Sequence, residues 1–167
     1  IPIETDGSIK TIDALSFLHN VNSGKSLAIG KQVVVYGGGN TAMDTIRTAL
    51  RLGALNPSIV YRRKKQHMAA HKFEAADALA EGAIFCCEHS IKAIKNNYIE
   101  LEVLQVSDSG NIVPTAEYKQ KPVDSLIMAI GQEVDRGIFN KKMDLSFTKS
   151  GLLEINENME TSLSGCF

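Results

Sequence analysis

The order of short apolar segments between residues 32 and 87 constrains the fold of this chain more than any other feature. Three β-forming runs alternate with two helical patterns, at residues 32–36, 41–53, 58–61, 69–81 and 83–87. The runs are short and mostly apolar, which is typical of strands buried on both faces of a parallel sheet. A strand–helix–strand–helix–strand order therefore predicts a parallel sheet that is covered by helices and joined by right-handed crossovers.

Weaker patterns flank this region. Residues 1–10 indicate an irregular approach, and residues 11–21 have the apolar spacing of a short amphipathic helix. From residue 90 the apolar period changes to two around turn signals, which predicts an antiparallel meander with one solvent-exposed face. Residues 123–130 predict a further buried strand, and a few short strands are expected after Lys141.

A cluster of glycines joins the first predicted strand to the first predicted helix, in the segment VVVYGGGNTAMD. In the pattern G-x-G-x-x-A, Gly37 permits a tight turn, Gly39 lets a pyrophosphate approach the backbone, and Ala42 lets the helix pack closely. The N–H groups of Gly39, Asn40 and Thr41 would then lie at the positive end of the helix. Asn40 and Thr41 are also common capping residues, and the cluster could be a plain turn. The strand-to-helix position favours the phosphate site.

Four consecutive cations follow the second predicted strand, beginning with Arg62 and Arg63. Arg62 and Arg63 stand 23 and 24 residues past Gly39, where an NAD-binding fold has an acidic residue for the ribose 2′-hydroxyl. Guanidinium groups would instead bind a 2′-phosphate through charge-assisted hydrogen bonds. A solvated surface run is the alternative. The position at the carboxyl end of a strand favours NADP(H) over NAD(H).

Composition narrows the class of protein. The 167 residues carry a net charge of −1, which favours neither nucleic acid nor an anionic membrane as a partner. Three cysteines, two of them adjacent, argue against a disulfide framework and predict a cytoplasmic protein. His67 and His71 lack a third metal ligand and the glutamate of a zinc protease site, so we predict no metal site. Neither a catalytic triad nor a carboxylate pair stands out, so no catalytic side chain is predicted.

The segments VVVYGGGNTAMDTIRTALRLGA, IVYRRKKQHM, AEGAIF and LIMAIGQEVD resemble the NADPH-binding half of the glutamate synthase small-chain family. That family includes the flavoprotein part of dihydropyrimidine dehydrogenase and selenate reductase-like flavoproteins. The resemblance implies an α/β fold: a Rossmann-like dinucleotide-binding domain with a parallel sheet plus an antiparallel β-meander. It also implies that the pyrophosphate lies at Gly38, Gly39, Asn40 and Thr41, the 2′-phosphate at Arg62 and Arg63, and the nicotinamide half near Ala129, Ile130 and Gly131.

In such proteins NADPH reduces FAD, which passes electrons to iron–sulfur centres in the same or a partner chain. The resemblance therefore implies an FAD-binding domain and an iron–sulfur protein as partners. We expect residues 1–30 to be a connecting segment with a short helix, residues 31–132 the NADP(H)-binding domain, and residues 133–167 a return segment towards an FAD domain.

Two departures from the family pattern limit this expectation. Met68-Ala69 replaces the common Met-Pro, and the glycine motif of the FAD fold is not in this sequence. We therefore expect a piece of a longer polypeptide that binds no FAD by itself. A nucleotide-sensing or docking domain without redox activity remains the alternative function.

Overall fold

The computed structural model describes residues 3–132, 135–139 and 143–167. The chain divides into a first unit that ends at Ile130 and a second unit, Gly131–Phe167. In the part of the chain that is described, no helix combines the length and the apolar character needed to cross a membrane.

The first unit contains nine strands and three α-helices among its described residues. In chain order these are β1 (Glu4–Thr5), β2 (Lys10–Asp13), α1 (Ala14–Asn22), β3 (Val33–Tyr36), α2 (Asn40–Arg51), β4 (Ser58–Tyr61), α3 (Lys72–Ala80), β5 (Ile84–Cys87), β6 (His89–Lys95), β7 (Tyr98–Val106), β8 (Ile112–Pro122) and β9 (Ser125–Met128).

Five of these strands form a parallel sheet in the order β2-β9-β3-β4-β5. The carboxyl ends of β3 and β4 therefore lie side by side, with Tyr36 opposite Val60. Four others form a second sheet in the order β1-β6-β7-β8, in which β6, β7 and β8 are antiparallel. The predicted α/β class, with a parallel sheet and an antiparallel meander, is confirmed.

The alternation along β3 shows how the layers are packed. Val33 and Val35 face a core cluster shared with the three helices, whereas Val34 and Tyr36 face a second cluster shared with the meander. All four side chains are buried. The helices thus cover one face of the parallel sheet, as predicted, and the meander covers the other face.

Two helix predictions need correction. The predicted helix at residues 11–21 begins only at Ala14, because Lys10–Asp13 pairs with β9 as an edge strand. The Asp13 carboxylate caps the helix by accepting a hydrogen bond from the N–H of Ser16 at 2.9 Å. The predicted helix at 69–81 begins at Lys72, after a short 3₁₀ helix at Lys65–His67.

The second unit consists mostly of turns in its described residues. A 3₁₀ helix spans Arg136–Ile138, and isolated bridges join Phe147 to Leu153 and Ile155 to Thr161. The guanidinium of Arg136 lies over the ring of Phe147, 5.0 Å from its centroid. The few short strands expected after Lys141 are thus reduced to single bridges among the residues described there.

Candidate functional site

The first two glycines of the cluster are required by close packing. Gly37 has a φ of +149°, and a Cβ built on it would collide with the carbonyl oxygen of Ala129. A Cβ on Gly38 would lie 2.6 Å from two ring carbons of Tyr61. The missing side chains therefore make room for β9 on one side and for an aromatic ring at the end of β4 on the other.

Gly39 differs from its neighbours because its missing side chain leaves open space. In the described part of the chain, no heavy atom outside its chain neighbours lies within 4 Å of the position that a Cβ would occupy. Gly39 is also the N-cap of α2, and no side chain caps the helix there. The first N–H groups of a helix have no partner within the helix and carry its positive end. This opening is therefore suited to an anion that approaches the backbone closely.

The polar residues that follow do not cap the helix, although capping was the structural alternative for them. The side-chain oxygen of Asn40 instead accepts a hydrogen bond from the N–H of His71 at 2.9 Å. Thr41 is half-buried, and its carbonyl accepts a hydrogen bond from the hydroxyl of Thr45 at 2.6 Å. Asn40 therefore ties the glycine segment to the approach of α3.

Residues 62–71, here called the arginine loop, connect β4 to α3 and lie against the glycine segment. The N–H of Ala70 donates to the carbonyl of Gly38 at 3.0 Å, beside the bond between His71 and Asn40. These two bonds hold the backbone ahead of α3, where the N-cap His71 has a non-helical ψ of 140° and the helix begins at Lys72. They also bring the two sequence signals, the glycines and the arginines, to one edge of the sheet.

The four consecutive cations divide into two pairs. Lys64 forms an ion pair with Asp108 at 2.6 Å, and the ammonium of Lys65 lies 5.7 Å from the ring centroid of Phe85. Arg62 and Arg63 are exposed, and neither guanidinium has an ion-pair or hydrogen-bond partner among the described residues. The lysines thus have structural contacts, whereas the arginine charges are available to a ligand.

The end of β9 completes the surroundings of the glycine segment. The N–H of Ala129 donates to the carbonyl of Tyr36 at 2.8 Å, which places Ala129 directly beside Gly37. Ile130 follows with 58% of its surface exposed. Gly131 has a φ of +104° and is the first residue of the second unit. Ala129 therefore lies beside the glycine segment, whereas Gly131 belongs to the second unit.

Tyr36, the last residue of β3, carries a buried phenol. Tyr36 is 3% exposed, and its hydroxyl has no hydrogen-bond partner among the described residues. Burial raises the pKa of this phenol above its ordinary value. Tyr36 therefore remains protonated at neutral pH.

Sequence reasoning assigned no role to Tyr61 or Asp108. The Tyr61 ring packs under Gly38, and its hydroxyl donates to the carbonyl of His67 at 2.6 Å. Its place directly before Arg62 was a usable signal, but nothing in the sequence links Asp108 to a loop more than forty residues away.

The two histidines considered as metal ligands have other contacts. His67 Nε2 bonds the carbonyl of Asp108 at 3.0 Å, and the ring of His71 stacks on Phe73 with 5.5 Å between centroids. Within residues 3–132, 135–139 and 143–167, no three potential ligands lie together. The three cysteines are free thiols, and burial raises the pKa of Cys87.

The sequence of residues 2–167 matches the family of pyridine nucleotide-disulphide oxidoreductases. The chain is 37% identical to the oxidoreductase YgfK of Escherichia coli K12, over 92% of this chain and 16% of that protein. It is 48% identical to the glutamate synthase [NADPH] small chain of Azospirillum brasilense, over 87% of this chain and 33% of that protein. The chain therefore spans a minor part of these relatives.

Among solved structures, the thioredoxin reductase of T. acidophilum superposes with a TM-score of 0.72 at 14% identity. The superposition covers 96% of this chain and 48% of that one, and shows a shared fold. The similarity to the glutamate synthase small chain confirms the resemblance found in the sequence. The chain belongs to the pyridine nucleotide-disulphide oxidoreductase family.

Proposed function

We propose that this chain is the NADPH-binding domain of a flavoprotein oxidoreductase and presents NADPH for hydride transfer to FAD. Electrons would then continue to iron–sulfur centres. The observation that carries the proposal is the pairing of an open helix N-terminus at Gly39 with two exposed arginines at the end of the neighbouring strand, which have no partner among the described residues.

The described residues fit a dinucleotide phosphate at the glycine segment. Gly39 offers open space and backbone N–H groups at the positive end of α2, without a capping side chain. A pyrophosphate needs close approach to the backbone, and any side chain at this position would obstruct it. Gly37 and Gly38 contribute by allowing β9 and the Tyr61 ring to pack against the segment.

The arginine loop supplies the preference for NADPH over NADH. Arg62 and Arg63 have exposed guanidiniums without described partners, while the adjacent lysines have structural contacts. A guanidinium is always charged and can bind a phosphate through two parallel hydrogen bonds. The name of the Azospirillum relative gives NADPH as its cofactor, which supports the same choice.

The bound nicotinamide would supply the hydride, so the chain needs no catalytic acid or base of its own. Its residues bind and orient the nucleotide. In this proposal the backbone at Ala129, Ile130 and Gly131 lies near the nicotinamide half. An FAD-binding domain and an iron–sulfur protein or domain are the proposed partners.

The test is a comparison of the dissociation constants of NADPH and NADH for wild type and for Arg62→Glu. Loss of a hydrogen bond to a charged group costs about 1.5–3 kcal/mol, or roughly ten- to a hundredfold in affinity. We expect wild type to bind NADPH more than about tenfold tighter than NADH, and Arg62→Glu to narrow or invert that preference. Lys65→Glu is the matched control and should change the preference much less, because Lys65 lies over Phe85. Equal wild-type affinity for both nucleotides would refute the proposal.

A further inference from the structure

The turn between β7 and β8 contacts the arginine loop. Lys64 Nζ donates to Asp108 Oδ1 at 2.6 Å. In the same turn, the backbone carbonyl of Asp108 bonds His67 Nε2 at 3.0 Å. A single residue of the meander thus contacts two side chains of the loop that carries Arg62 and Arg63.

The loop is therefore fixed along most of its length. Its start is held because the N–H of Glu88 donates to the carbonyl of Arg63 at 3.2 Å. Its middle is held because the Tyr61 hydroxyl donates to the carbonyl of His67. Its end is held by the bond from Ala70 to Gly38. The backbone that carries the two arginines is ordered although their guanidiniums have no described partners.

The pKa shifts of Lys64 and Asp108 agree with the close contact between their side chains. Lys64 lowers the pKa of the Asp108 carboxyl, and Asp108 raises the pKa of the Lys64 ammonium. Both groups are therefore charged throughout the neutral range. Only about a third of the Lys64 side chain is exposed, whereas Asp108 is mostly exposed. Asp108 thus keeps a lysine next to Arg63 in a fixed position.

We propose that Asp108 is a positioning residue for the recognition of a ribose 2′-phosphate: it anchors the arginine loop through Lys64 and His67, so that Arg62 and Arg63 are preorganised for that phosphate. This inference rests on the proposed NADPH site. A loop that is already ordered loses less conformational freedom when a ligand binds, and this raises affinity without a new contact. Asp108 itself does not touch the nucleotide in this account.

The experiment measures binding of 2′,5′-ADP and 5′-AMP, which differ by the 2′-phosphate alone, to the purified protein by calorimetry. Asp108→Asn should weaken 2′,5′-ADP about two- to fivefold, the range of an exposed ion pair. Binding of 5′-AMP should not change. Asp108→Glu, which keeps the charge, should restore most of the loss.

Asp6→Asn is the matched control, because the Asp6 carboxylate accepts a hydrogen bond from Asn96 at a different hairpin of the same meander. It should leave both affinities unchanged. In a Lys64→Gln background, Asp108→Asn should have little further effect, since the charge acts through Lys64. Lys64→Gln also provides the test if Asp108→Asn fails to fold.

The outcomes separate this inference from the proposed function. Wild type that binds 2′,5′-ADP no more tightly than 5′-AMP overturns the NADPH site and this inference together. A wild-type preference for 2′,5′-ADP that Asp108→Asn leaves intact overturns the inference alone. So does tighter 2′,5′-ADP binding by Asp108→Asn, because Lys64 would then be a ligand that Asp108 withholds from the phosphate.

Discussion

One added methyl group should lower stability when it is placed at Gly38 and should weaken nucleotide binding when it is placed at Gly39. A Cβ at Gly38 lies 2.6 Å from Cδ2 and Cε2 of Tyr61, far inside van der Waals contact. The ring cannot move aside freely, because its hydroxyl is bonded to the carbonyl of His67. At Gly39 the same methyl group meets no atom of the described residues within 4 Å, and the φ of −97° is one that alanine adopts readily.

The magnitudes follow from these contacts. Overpacking by one carbon atom costs about 1–3 kcal/mol, so Gly38→Ala should lower the melting temperature by roughly 2–4 °C for each kcal/mol. Gly39→Ala loses only the modest advantage of glycine over alanine at an N-cap, under about 1 kcal/mol. Its methyl group occupies the open approach to the helix N-terminus, however, and should weaken NADPH at least about tenfold.

Thermal unfolding and calorimetric titration with NADPH, run on both variants, test this account. Tyr61→Ala provides a control, because it removes the ring that clashes. In this background, the further change Gly38→Ala should lower the melting temperature little. A stable Gly38→Ala variant would contradict the packing argument. A Gly39→Ala variant with wild-type NADPH affinity would contradict the placement of the phosphate.

Two further predictions concern stability. Phe17→Ala should destabilise the protein by about 3–5 kcal/mol, because the side chain of Phe17 in α1 is fully buried in the core. Leu15→Ala on the same helix should cost far less, because Leu15 is 44% exposed. Urea unfolding of both variants measures the difference. Arg47→Ala should lower the melting temperature more than Arg51→Ala, since Arg47 contacts three carboxylates of α3 and its C-cap and Arg51 only one, at 3.9 Å. Arg47 lowers the pKa of Glu81 below its ordinary 4.5, so the stability that this pair contributes is present above pH 4.5 and is lost as the pH falls through the lowered pKa. The difference in melting temperature between wild type and Arg47→Ala should therefore shrink in acid. A difference that does not change with pH would refute this prediction.

The elements that the sequence predicted well are those that local pattern determines. Residues 58–61 and the strand ending at Tyr36 are mostly apolar because both of their faces are buried, one by helices and one by the meander. The alternating runs of the meander likewise follow from having one buried face. The glycine and arginine signals lie on one edge because parallel neighbouring strands end together.

The elements that the sequence did not predict depend on distant residues. Lys10–Asp13 is a strand because β9, more than a hundred residues later, offers an edge for pairing. The non-helical backbone just before α3 is bonded to Gly38 and Asn40, more than thirty residues earlier in the chain. Asp108 reaches the loop only because the meander folds back over the sheet. Local propensity carries no signal for any of these contacts.

The assignment of the domains and of the individual site residues remains a prediction. Residues 1–30, expected to be a connecting segment, contribute β1 to one sheet and β2 to the other. The proposed boundaries at residues 31–132 and 133–167 describe functional parts, and limited proteolysis of the protein with and without NADPH would test them.

The most direct test of the central claim is anaerobic mixing of the full-length protein with NADPH or NADH, followed by visible absorbance spectroscopy of any flavin that it binds. The account predicts a yellow protein that NADPH bleaches rapidly and NADH slowly, and it predicts that Arg62→Glu reduces this difference. A colourless protein that still binds NADPH would support the nucleotide-sensing alternative. A flavin that both nucleotides bleach at the same rate, or that neither bleaches, would contradict the claim.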